Sequence, residues 1–155
     1  MARSRRRQIT VLVVMSIASC VAMTTACVSS GGSSSGSGTS LTGTDWRLTE
    51  LNGAPALPGL GDRAPRIRLT ADSARLTGNT GCNTMGGGFE SSGDRLRFSK
   101  VFTTRMACAD TAPSRQESDF VKMIDSVDRY RIDGAGLTLY AGDRAVAHFK
   151  AAQPK

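Results

Sequence analysis

The side chains best suited to chemistry in this chain of 155 residues lie in two short blocks, Thr77-Gly78-Asn79-Thr80-Gly81-Cys82-Asn83 and Thr103-Thr104-Arg105-Met106-Ala107-Cys108. Thiol catalysis needs a base beside the sulfur and a third group to orient that base. Cys82 or Cys108, with His148 and Asn83, supplies those residue types for a thiol-dependent enzyme. His148 is the single histidine, and the alternating run Val146-Ala147-His148-Phe149 points it outward from a strand. Oxidation of both cysteines would also remove the nucleophile, so no catalytic residue is assigned and the enzyme reading ranks last.

Other site chemistries find less support. One histidine, two well-separated cysteines and scattered carboxylates match no metal-ligand spacing, and neither metal nor cofactor is expected. Gly78 to Gly81 lacks the lysine and following helix of a phosphate loop and reads as a tight turn. Arg105 and Met106 leave two readings open. They fasten a strand end to a helix, with Arg105 pairing a carboxylate such as Glu117, or they form a contact for a partner.

The first forty residues bear on the redox state of those cysteines. Arg3, Arg5, Arg6 and Arg7 form a cationic head, Ile9 to Met23 a mostly apolar stretch, and Thr24-Thr25-Ala26-Cys27 a small-residue exit. This is the order of a secretory signal over residues 1–26, with lipid attachment at Cys27. The apolar stretch is well under the ~20 residues of a membrane span. Ile17-Ala18-Ser19-Cys20 fits the bacterial lipobox better at one position, so Cys20 is the alternative lipid site. Cleavage there would leave Val21, Ala22 and Met23 at the mature start and Cys27 as an odd thiol, which favours Cys27. A plain secreted protein cut after Ala26 is the unmodified alternative, and Arg5-Arg6 leaves the twin-arginine export route open beside the general one.

Residues 27–41 are dominated by glycine and serine and read as a flexible tether. Residues 42–150 have the length of one small domain, and 151–155 form a short tail. In an exported chain, two cysteines within the folded part make a Cys82 to Cys108 disulfide the first hypothesis, closing a loop of 27 residues. Four of the twenty basic residues lie in the cationic head, which leaves sixteen against thirteen acidic residues, a mature charge of +3. Arginines alternating with apolar residues, and few aromatics to stack bases, give nucleic-acid binding little support.

Period-two alternation runs through most of the domain. Trp46 and Leu48 precede an Asn52-Gly53 turn, and Pro55 with Pro58-Gly59 keeps the next stretch a loop. Ile67 and Leu69 lead through Asp72-Ser73 to Leu76 as a hairpin. Met85 to Glu90 reads as a weaker, glycine-rich strand, Leu96 and Phe98 as another, and Val101 to Arg105 as a further one. Tyr130 to Ile132, Leu137 to Leu139 and Val146 to Phe149 complete the strands. Between them, Ser114 with Glu117 three residues later predicts a capping box, and Phe120, Met123, Ile124 and Val127 form an apolar stripe. Lys122, Asp125 and Asp128 then face water. The expected fold is α+β, a curled antiparallel sheet of about seven or eight short strands packed on one helix.

A tryptophan-bearing first strand ending in Leu51-Asn52-Gly53, the Gly81-Cys82-Asn83 block, the Thr104-Arg105-Met106-Ala107-Cys108 block, and Glu117 with Phe120 opening the helix resemble the META domain family. HslJ-like, heat-shock-inducible bacterial lipoproteins belong to that family. The resemblance runs from about Thr42 to Phe149. It implies a small sheet curling around one helix, in bacteria usually behind a signal peptide, and it brings no established catalytic residue or cofactor. Thr84-Met85-Gly86-Gly87-Gly88 departs from the family pattern, which often places a large or basic residue and then an aromatic there. Associations of the family with envelope stress, drug tolerance, motility and, in protozoa, virulence are not mechanisms.

The expectation is thus a monomeric domain tethered to a bacterial membrane by an N-terminal lipid anchor, with a non-catalytic binding or support role toward an envelope protein. A carrier for an apolar ligand in a half-closed barrel cavity, widened by Gly86 to Gly88, is the alternative.

Overall fold

Alternation of apolar and polar residues builds nearly every element of the sheet. The computed structural model describes residues 38–59, 63–106 and 111–152. All of them belong to the second of two units into which the chain divides, 35–155. The strands are β1 (Asp45–Leu51), β2 (Ala54–Pro55), β3 (Arg66–Thr70), β4 (Arg75–Asn79), β5 (Thr84–Ser92), β6 (Arg95–Thr103), β7 (Arg129–Asp133), β8 (Gly136–Ala141) and β9 (Arg144–Ala151), with helix α1 (Thr111–Ser126) between β6 and β7. In β3 the pattern is strict: Ile67 and Leu69 are fully buried while Arg66, Arg68 and Thr70 face outward.

Each strand pairs antiparallel with its neighbour in the order β2-β1-β3-β4-β5-β6-β7-β8-β9, and β1 also pairs with β9. β1 and β3 to β9 therefore close into a ring, while two-residue β2 pairs with the end of β1. The weakest seam of the ring is β6 against β7, where Arg95 opposite Arg129 is the one register pair. The helix connects these two strands and sends Phe120, Met123, Ile124 and Val127 into the core. Phe120 meets Phe149 with ring centroids 6.2 Å apart. Burying each such side chain contributes about 1.5–3 kcal/mol, so the helix is held by its stripe.

Four local expectations are corrected. Ala54 and Pro55 pair with Leu51 and Glu50 as a two-residue strand, because the Asn52-Gly53 turn, with φ of 50° and 82°, folds the chain directly back. Leu96 through Thr103 forms one strand interrupted by a bulge, with Lys100 at φ 51°, where two separate strands were expected. The helix begins at Thr111, so Ser114 lies within its first turns and does not start it. Pro113 is tolerated there because early helical positions need no N–H partner. Asp128 is half-buried, and its Oδ2 accepts a hydrogen bond from the Gly142 N–H at 3.0 Å.

The glycine run is also better filled than expected. Gly86 lies opposite Phe102, whose ring occupies the space a side chain at position 86 would need, and Gly87 lies against the bulge at Ser99 and Val101. The strand remains continuous from Thr84 to Ser92. The interior is packed: Trp46, Ile67, Leu69, Leu76, Leu96, Leu137 and Leu139 are buried in one cluster with the helix stripe. Three surface grooves involve none of these seven side chains. This cluster packs the inner face of the sheet against the helix.

Candidate functional site

The connection from β4 to β5 is a tight turn set by residue type. Thr80 N–H donates to the Asn83 carbonyl at 2.9 Å, and Gly81 N–H donates to Asn79 Oδ1 at 3.0 Å. Gly81 holds φ 100°, a backbone state that side chains with a Cβ rarely adopt. This turn buries Thr80, Cys82 and Asn83. A buried carboxamide must find partners for both ends of its amide.

Asn83 finds them in the other block and in the helix. Its Oδ1 accepts from Thr104 Oγ1 at 2.8 Å and from the Met106 N–H at 2.7 Å. Its Nδ2 donates to Glu117 Oε2 at 3.1 Å and to the Met106 carbonyl at 3.4 Å. Thr80 Oγ1 donates to Glu117 Oε1 at 2.7 Å and accepts from the Asn83 N–H at 3.1 Å. Thr104 Oγ1 also accepts from the Thr84 N–H at 3.1 Å. One side chain thus ties the β4–β5 turn, the segment after β6 and the helix together where the strands end.

Glu117 reaches beyond the capping role expected of it. A capping carboxylate reaches back to its own helix start; this one accepts from Thr80 and Asn83 across the domain. Arg105 does not pair with it: among the described residues Arg105 makes no ion pair, and its side chain is exposed. Met106 is held through its backbone while its side chain is 55% exposed, and Phe102 on the preceding strand is 65% exposed. The motif therefore divides into a hydrogen-bonded set, the buried Thr80 and Asn83 with the exposed Thr104, and an outward pair, Arg105 and Met106.

Cys82 is 5% exposed and disulfide-bonded. Cys108, its expected partner, lies outside the described residues, as do Cys20 and Cys27. His148 is not brought to the sulfur. It projects from the outward side of β9, with Nδ1 3.0 Å from Thr138 Oγ1 and Nε2 3.9 Å from Glu50 Oε1. Among the described residues no group of three or more His, Cys, Asp and Glu side chains gathers in a way that would hold a metal.

The two blocks that meet at Asn83 fall within a match to the model of the META domain, which spans residues 39–154. The chain belongs to the META domain family. Two solved structures share the fold. A protein from Burkholderia xenovorans determined by NMR is 19% identical with a TM-score of 0.60, covering 74% of this chain and 85% of its own. A second NMR structure is 20% identical with a TM-score of 0.56, covering 70% of this chain and 88% of that one. No match was found among curated proteins. Sequence reasoning singled out Gly81, Cys82, Asn83, Thr104, Arg105 and Met106 in this META domain, and it missed that Thr80 and Glu117 complete the network around Asn83. The signal available was the unmet capacity of Asn83, a residue that seldom enters a core without partners.

Proposed function

We propose that this META domain has a non-catalytic binding or support role outside the cytoplasm, held to a bacterial membrane by lipid on Cys27, or on Cys20 if cleavage falls earlier. One observation carries the non-catalytic part. Where the motif blocks converge, Asn83, Thr80, Thr104 and Glu117 hydrogen-bond to one another and to backbone, an arrangement that fastens strand ends. The sole histidine lies elsewhere, beside Thr138 and Glu50. The order of cationic head, apolar stretch and cysteine supports export, and export favours a bridge from Cys82 to Cys108.

The outward Arg105 and Met106 favour contact with an envelope partner over strand fastening. Involvement in envelope stress or drug tolerance rests on family resemblance alone. Crosslinking of the anchored protein in intact envelopes, followed by pull-down, tests the reading. The same partner should be recovered with wild-type protein and lost with Arg105→Ala. A turnover activity abolished by Cys82→Ser without loss of fold would overturn the reading in favour of the thiol enzyme. The carrier reading is disfavoured by the packed interior, and lipid released from the purified domain by mild solvent would restore it.

A further inference from the structure

The outward face of β9, β1 and β3 carries like charges in direct register. Arg47 is opposite Lys150 on one side and opposite Arg66 on the other, and all three are exposed. Like charges directly opposite across strands destabilise a sheet. Arg63 and Arg68 line the same groove, where the one carboxylate is Asp45, 3.9 Å from Arg66. Arg47, Arg63, Arg68 and Lys150 make no ion pair among the described residues. Asp45 lies opposite Arg68 on this face; elsewhere Arg97 lies opposite Glu90, and Arg129, opposite Arg95, sits 3.2 Å from Asp143.

The position of this face adds a second observation. Gly43 and Thr44, through which the N-terminal segment runs into β1, line the same groove. The groove thus lies at the end of the domain where the N-terminal segment enters β1. The cations are solvent-exposed, Arg66 at 59%, and spread over three strands, which suits an extended anionic surface better than a single enclosed anion. We propose that the β9-β1-β3 face docks the folded domain on anionic phospholipid, each basic side chain near the headgroups adding attraction. This rests on the membrane-anchored reading above.

Lysine footprinting of the full chain, extracted from membranes and returned to vesicles, tests the proposal. On vesicles containing phosphatidylglycerol, Lys150 should lose several-fold in acylation rate relative to phosphatidylcholine vesicles, while Lys100 and Lys122 keep theirs. Neutralising Arg47→Gln and Arg66→Gln should lower the docked-to-free ratio about five-fold each, and high salt should do the same. Removing the like-charge opposition should leave the melting temperature unchanged or raised, which guards against misfolding. Equal Lys150 labelling on both vesicles, equal protection of all three lysines, or the same protection by inorganic phosphate alone would overturn it. Intact mass on the same samples reports acylation separately, so failure of the anchor and failure of the docking face are distinguishable.

Discussion

Asn83 Nδ2 donates to Glu117 Oε2 at 3.1 Å, joining the turn before β5 to the helix that connects β6 to β7. Through this bond and those of Thr80, the two sequence blocks of the family hold the helix against the barrel.

The energetic consequence is cooperative loss. Asn83→Ala strips partners from the Met106 N–H and from Glu117, and should cost about 3 kcal/mol in denaturant unfolding. Glu117→Ala should cost about 1–3 kcal/mol. The two losses should fall short of additive by at least about 0.5 kcal/mol in a double-mutant cycle. Additive costs would mean the pair is not one network.

Two glycines should respond unequally. A Cβ at Gly78 would meet the Arg66 carbonyl of the paired strand, which cannot yield, and Gly78→Ala should cost about 3 kcal/mol or more. A Cβ at Gly86 would lie 2.6 Å from the tip of the exposed Phe102 ring. That ring can swing into solvent, so Gly86→Ala should cost no more than about 1 kcal/mol. Thermal melts of both variants give the comparison, and equal costs would refute it.

Arg105→Ala should leave stability within about 0.5 kcal/mol of wild type, because the exposed guanidinium holds no carboxylate among the described residues. A large drop in Tm would restore the strand-fastening reading and remove the motive for seeking a partner at this residue.

If the bridge from Cys82 reaches Cys108, reduction or Cys82→Ser should lower stability by about 3.5 kcal/mol, as expected for closing a loop of that length. Unfolding curves with and without reductant measure it, and coincident curves would argue against the pairing.

Much of the barrel was legible because alternation is local. Ile67 and Leu69 between arginines, and the Asn52-Gly53 turn, specify strand and hairpin within a few residues. What escaped depends on distant partners. Ser114 and Glu117 have the spacing of a capping box, yet the helix starts at Thr111 and the carboxylate also accepts from the Thr80 hydroxyl and the Asn83 amide. The bulge at Lys100 joins what reads as two strands, because a single residue at positive φ restores the alternation beyond it. Closure of β1 on β9 and the register of Lys150, Arg47 and Arg66 require pairing across nearly the whole domain, which no local pattern contains. In the candidate site, Cys82 and Asn83 were visible by type, whereas their inward role emerged only with the partners that surround them.

Intact mass spectrometry of the protein isolated from bacterial membranes without reductant is the most direct test. The isolated chain should begin at Cys27, carry acyl groups and have no free thiol at Cys82 or Cys108. A full-length, unacylated chain with both thiols free, recovered from the cytoplasm, would contradict it.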